Sequence, residues 1–294
     1  MCLFNISIRM KYIRSILLLV FSCLLLPSEF LFPQTPEPGI IINDMIGAIR
    51  SIKTIQFTII QTERIDGNLK NQADAVKMQM NPLKMYISAE SSGKSYEVLW
   101  VKGANNGNAW VHPGDFPYFT LSLNPEGNNL KLGHHSIFAI NLNYLADLIS
   151  HEIKVDQKSL SQYIKYQGLY DVDGRICYKI LLEFSSFKLI PYTVKTGEDL
   201  VTIAAQHYVS EYVIHEKNKE ISRATDLKPG DKILIPERYA KSMVLFIDKN
   251  LKLPIIEMMY DDKGLFERYE FRKIQLNPTF QDKVFSKDNP EYHF

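Results

Sequence analysis

The stretch Tyr192-Thr193-Val194-Lys195-Thr196-Gly197-Glu198-Asp199-Leu200 lies deep inside a chain of 294 residues. RICYKILLEF (175–184) before it and SMVLFIDKN (242–250) after it both read as β-strands. Between those strands the pattern changes character. Tyr192-Thr193-Val194 is a short strand, Thr196-Gly197-Glu198-Asp199 is a loop that caps a helix running through Ala205, and EYVIHEKN (211–218) gives a second helix. Lys228-Pro229-Gly230-Asp231 then turns into a closing strand, KILIP (232–236). The result is a β-α-α-β order spliced between two strands that look like neighbours. Insertion is tolerated at such a point because few contacts cross a loop tip.

This unit resembles the LysM domain, a carbohydrate-binding module of bacterial envelopes. The matching residues are Tyr192, Val194, Gly197, Leu200, Ile203, Ala204, Asn218, Gly230, Leu234, Ile235 and Pro236. The resemblance implies a shallow groove for N-acetylglucosamine polymers, peptidoglycan above all. Its walls would be Thr196, Gly197, Glu198, Asp199 and Leu200 on one side, and Asp226, Leu227, Lys228 and Pro229 on the other. Leu200 and Leu227 would pack on the sugar while backbone groups hold its acetamido arms. Val201-Thr202 departs from the aromatic-serine pair common after that leucine. A degenerate unit that only spaces two strands is the alternative.

Outward from the unit, the chain reads as strands with a few helices. Ile41, Met45, Ile49 and Ile52 recur at helical spacing. In TIQFTIIQTER, Ile55, Phe57 and Ile59 alternate with Gln56, Thr58 and Ile60, a half-buried strand, and Asp66-Gly67-Asn68 signals a hairpin. AVKMQM, KMYISAE, YEVLWV and AWVH continue a meander of antiparallel strands. Leu142, Leu145, Leu148 and Ile149 mark a second helix. A terminal hairpin turns at Asp262-Lys263-Gly264, with Tyr269 and Phe271 on one side and Arg268, Glu270 and Arg272 on the other. The total is roughly nine to eleven short strands.

With the unit set aside, the remainder resembles the lipoprotein-carrier superfamily of LolA and LolB type, through Asp248, Leu253-Pro254, Tyr260-Asp261, Gly264, Asn277-Pro278 and Phe285. The expected fold class is therefore α+β: a LolA-like curved antiparallel half-barrel covered by helices, with an inserted βααβ LysM domain. The expected boundaries are a leader over 1–34, the half-barrel over 38–189 and 238–294, and the inserted unit over 190–236. The resemblance implies an apolar cavity that takes a lipid or acyl chain, each buried methylene contributing about 0.8 kcal/mol. Met78, Met80, Met85, Tyr178, Ile180 and Met258 are the candidate lining residues, since flexible thioethers adapt to varied apolar shapes. The same methionines serve equally as fillers of a solid core.

Composition narrows the function classes. A formal net charge of +1 and the lack of any Lys/Arg block argue against nucleic acid. Met10-Lys11-Tyr12-Ile13-Arg14 followed by SILLLVFSCLLL reads as a secretory leader, which points to the periplasm or cell envelope. Of 3 cysteines, Cys2 and Cys23 fall in that leader and Cys177 is left alone, so no disulfide forms within the mature chain. Ser22-Cys23 suits lipid attachment, but the apolar core runs on past it. No catalytic, metal or cofactor motif is expected: His134-His135 is adjacent, unlike the spaced pair of a helix-borne metal site. Glu257 and Glu267, the one carboxylate pair worth weighing for glycan cleavage, read as outer-face strand residues. The expectation is a non-enzymatic envelope protein that binds peptidoglycan and an apolar ligand. The alternatives are a solid-cored peptidoglycan tether with an envelope protein partner, and a cell-wall hydrolase.

Overall fold

The computed structural model describes residues 36–89, 96–127, 130–155, 162–184, 186–221 and 227–294. The expected leader, with Cys2 and Cys23, lies outside the described residues, as does Asp226. No helix among the described residues is long and apolar enough to cross a membrane.

Helix α1 (Pro38–Ser51) comes first. The Glu37 carboxylate accepts from the Gly39 and Ile40 amides, and Pro38 occupies the first turn, where no amide donor is needed. Strands β1 (Thr54–Ile65), β2 (Asn68–Met80), β3 (Leu83–Ala89), β4 (Glu97–Val101), β5 (Ala109–His112) and β6 (Leu121–Leu123) then form the expected meander. Asp66 and Gly67, both at positive φ (51° and 80°), make the β1–β2 turn that the Asp-Gly pair predicts. A small hairpin, β7 (Lys131–Leu132) and β8 (His135–Ser136), precedes helix α2 (Leu142–Val155). Strands β9 (Ile164–Val172) and β10 (Arg175–Glu183) follow. Next come β11 (Leu189–Thr193), α3 (Leu200–His207), α4 (Glu211–Lys217) and β12 (Lys232–Pro236). The described chain closes with β13 (Ser242–Asp248), β14 (Pro254–Asp261) and β15 (Gly264–Leu276).

Eleven strands form one antiparallel sheet in the order β6-β5-β4-β3-β2-β1-β15-β14-β13-β10-β9. The order is linear, with β6 and β9 at the edges, so the sheet stays open. Strand β1 pairs with β15 and thereby joins the two halves of the chain, with Ile59 opposite Phe271, Gln61 opposite Tyr269 and Glu63 opposite Glu267. Ile55, Phe57 and Ile59 from β1, Met78 from β2 and Met85 from β3 are buried on one face with Ile42, Met45 and Ile49 of α1 and Leu145, Leu148 and Ile149 of α2. Each such side chain contributes about 1.5–3 kcal/mol on burial. On the other face, Tyr86 and Leu99 pack beneath the C-terminal segment through Phe285, and Cys177 is buried beside Ile255 and Ile256.

Strands β10 and β13 pair antiparallel, with Glu183 opposite Ser242, so the chain leaves the sheet and returns to it at one point. The intervening strands β11 and β12 form their own two-stranded sheet. A separate small core gathers Val194, Leu200, Ile203, Ile214, Ile233 and Ile235. The Asn218 amide ties α4 to β12, donating to the carbonyls of Ile214 (2.6 Å) and Leu234 (2.8 Å) and accepting the Leu234 amide at 2.8 Å.

More contacts cross the splice than a loop tip implies, and the unit does not project from the body. Val213 of α4 joins the main core, and Tyr208 and Tyr212 pack against it. The Tyr212 hydroxyl accepts the Asp66 amide at 2.9 Å, and Lys263 donates to Glu216 at 2.7 Å. One face of α4 is docked on the β1–β2 and β14–β15 turns.

Candidate functional site

Two places carry polar groups in an organised way: the loops of the βααβ unit and the interior of the body. In the unit, the loop before α3 and the loop before β12 are tied side by side, because Gly230 N–H donates to the Val194 carbonyl (2.8 Å) and Val194 N–H to the Asp231 carbonyl (2.9 Å). Thr196, Gly197, Lys228 and Pro229 are exposed there, and Leu227 is half-buried against the unit's core. Glu198 and Asp199 shape their own loop. Glu198 accepts from the Tyr192 hydroxyl and the Lys195 amide, and Asp199 caps α3 in a reciprocal pair with Thr202. The unusual Thr202 thus has a structural use. Leu200 is fully buried in the unit's core, which corrects the expectation that it packs on a sugar.

The interior holds what the sequence reading passed over. Alternation carries the core face of β1 from Ile55, Phe57 and Ile59 on to Gln61 and Glu63, and both are buried. On β15 the side of Tyr269 and Phe271 also presents Glu267. Glu63 and Glu267 therefore oppose each other on neighbouring strands, an arrangement that destabilises unless the charges are bridged. The β7–β8 turn supplies the bridge. His134 N–H donates to Glu63 Oε2 at 2.8 Å, its Nδ1 lies 2.8 Å from Glu267 Oε1, and its Nε2 lies 3.0 Å from the Arg64 carbonyl. The ring is stacked between Tyr212 and Phe266. His135 Nε2 reaches Glu267 Oε1 at 3.0 Å and the Tyr239 hydroxyl at 2.8 Å. Tyr239 donates to Glu267 Oε2 (2.6 Å) and Tyr269 to Glu63 Oε1 (2.6 Å). Gly133 makes the close approach possible: its φ is +73°, and a Cβ there would fall 1.6 Å from Glu63 Oε2.

These contacts set the charges. Burial pushes Glu267 up, but His135 and His134 outweigh it and hold the carboxyl well below the usual range. Burial pushes Glu63 up, more than the neighbouring His134 pulls it down. Burial draws His135 down, and the Glu267 charge more than restores it, leaving it raised. Glu257, 4% exposed, has no such rescue. Burial and then the Glu267 charge push it up to about 8, and its Oε1 has no hydrogen-bond partner. This corrects the outer-face reading of Glu257 and Glu267; His134, in the β7–β8 turn, is buried with them.

Beside the cluster, α2 closes over a cavity of about 40 Å3, bordered by Ile59, Leu145, Tyr239, Glu257, Tyr269 and Phe271. None of the six expected cavity residues lines it. Met78, Met85 and Ile180 are buried in the main core, Met80 and Tyr178 pack at its margin, and Met258 sits on the opposite face beside Ile256. Met78 and Met85 fill the core because α1 and α2 sit directly on the sheet.

None of the curated proteins matches the sequence. Among solved structures, the chain is similar to the MucA/MucB complex of Pseudomonas aeruginosa, with 10% identity over 85% of this chain and 61% of that one and a TM-score of 0.39. It is also similar to the lipoprotein LppX of Mycobacterium tuberculosis, with 15% identity over 84% and 99% of the chains and a TM-score of 0.38. A third is a putative outer membrane lipoprotein-sorting protein domain of Vibrio parahaemolyticus, with 9% identity over 84% and 95% and a TM-score of 0.32. The chain spans about three fifths of the MucB structures it matches. The profile of the family described as "Protein of unknown function (DUF1571)" matches residues 52–189 and 206–294, leaving out most of β11, the loop before α3 and most of α3, and taking in α4, β12 and every residue of the buried cluster. The chain belongs to the DUF1571 family.

Proposed function

We propose that this is an exported, non-enzymatic envelope protein, a tether whose inserted LysM-like unit grips peptidoglycan and whose solid body engages a protein partner. The observation that carries the glycan half is the βααβ unit, with two loops laced together at one end by the Val194–Gly230 and Val194–Asp231 backbone bonds. Thr196, Gly197, Lys228 and Pro229 stand exposed along that end, and Leu227 supplies apolar surface beside them. An uncharged sugar suits backbone donors and acceptors on a chain of near-neutral charge. Asp226, expected in the same wall, lies outside the described residues.

For the body, the cavity beneath α2, about 40 Å3, falls far below the roughly 300 Å3 at which ligand sites begin. A wider opening of about 460 Å3 apart from it is bordered by Gln56, Lys77, Ser88, Lys273 and Tyr292, a polar lining that does not suit an acyl chain. That favours the tether over the lipid carrier. The feature that favours a protein partner is an exposed aromatic loop on which Phe116, Tyr118 and Phe119 are 82%, 79% and 62% exposed, since aromatic side chains dominate protein contacts.

Sedimentation with insoluble peptidoglycan tests the glycan claim. Thr196→Trp combined with Lys228→Trp fills the mouth between the loops at two exposed positions and spares the unit's core. The double variant is expected to bind at least about tenfold more weakly, or about 1.4 kcal/mol. Equal pelleting of variant and parent refutes glycan binding at these loops.

A further inference from the structure

We infer that Glu63, His134 and Glu267 form a buried site for one divalent first-row transition-metal ion of the zinc or manganese kind. The donors come from three separate parts of the chain: β1, the β7–β8 turn and β15. One ligand atom from each lies within 4.8 Å of the others. Two carboxylates and an imidazole are a donor set that suits such ions.

The surroundings are those of an oriented site. A metal-ligating imidazole typically passes its second N–H to a carbonyl or carboxylate, and His134 Nε2 faces the Arg64 carbonyl at 3.0 Å while Nδ1 faces Glu267 Oε1 at 2.8 Å. Tyr269 and Tyr239 hold the far oxygens, Glu63 Oε1 and Glu267 Oε2. The near ones, Glu63 Oε2 and Glu267 Oε1, are left beside His134. His135 Nε2 shares Glu267 Oε1 at 3.0 Å. A dication neutralises the two opposed carboxylates in a site with no bulk water, the balance a low-dielectric interior requires.

The residues that support the site also face a small cavity. Glu257 Oε1 is buried without a partner, and Glu257 borders the same cavity of about 40 Å3 as His135, Tyr239 and Tyr269. That space accommodates one or two waters. A water there meets Glu257 Oε1 and borders the site through His135, Tyr239 and Tyr269, the residues that hold its carboxylates.

The inference stands apart from glycan binding and is tested separately. Protein stripped with a chelator is titrated with Zn2+ by calorimetry, and crystals grown with Zn2+ are measured at the zinc edge. One equivalent is expected at micromolar affinity or tighter, with an anomalous peak between Glu63, His134 and Glu267. Glu63→Gln is expected to weaken binding at least tenfold. His293→Gln, which removes the exposed imidazole beside Glu97, is expected to leave it unchanged. Absence of a saturable single equivalent, a peak only at surface histidines, or equal affinity in a folded Glu63→Gln variant overturns the assignment. Should Glu63→Gln not fold, the position of the anomalous peak decides.

Discussion

Glu267→Gln is expected to lower the unfolding free energy by about 3–5 kcal/mol, the cost of breaking a buried charge pair from one side. The Glu267 side chain is fully buried and accepts from His134, His135 and Tyr239 at once. An amide keeps the shape but removes the charge that His134 and His135 face, and it turns an N–H toward one of them. At about 2–4 °C per kcal/mol for a chain of this size, the melting temperature falls by about 10 °C. The linkage has a definite sign. A carboxyl held below its ordinary value of 4.5 contributes stability that is present above that value and lost as pH falls through the depressed one. The gap between parent and variant is therefore widest near neutrality and narrows in strong acid. Urea titrations at pH 7 and pH 3 measure both; a difference within about 1 kcal/mol at pH 7 contradicts the role given to Glu267.

Glu257→Gln has the opposite effect. Glu257 is pushed up to about 8 from an ordinary 4.5, so the folded protein keeps a proton that the unfolded chain releases. The parent's stability is full below about pH 4.5 and declines as pH rises through about 8. The glutamine has nothing to ionise and does not decline. The variant is expected to match its parent near pH 4.5 and to exceed it by on the order of 3 kcal/mol above pH 8. Unfolding free energies across pH 4.5–9 measure the crossover. Parallel curves mean that Glu257 does not hold its proton at neutral pH.

The two carboxylates also show where sequence reading reached and where it stopped. Alternation placed Ile55, Phe57, Ile59, Tyr269 and Phe271 correctly, and the same parity continues through Glu63 and Glu267. It was not followed because a charged residue on a core face is stable only with a partner, and the partners lie far along the chain. His134 is 71 residues from Glu63 and 133 from Glu267, with nothing in their spacing to announce the meeting. The β-α-α-β order was legible because it is local, and β10 and β13 pair as their patterns predict. The docking of α4 was not, since Tyr208, Tyr212 and Val213 read as ordinary residues of a small helix. The depth at which α1 and α2 sit was equally hidden: alternation assigns a face to each methionine and says nothing of how much space lies above it.

Filling of the core face by α1 and α2 is the claim on which the tether reading turns. Native mass spectrometry of protein recovered from its own cell envelope tests it most directly. The predicted spectrum is the protein alone or with one metal ion; a persistent adduct of lipid mass contradicts it.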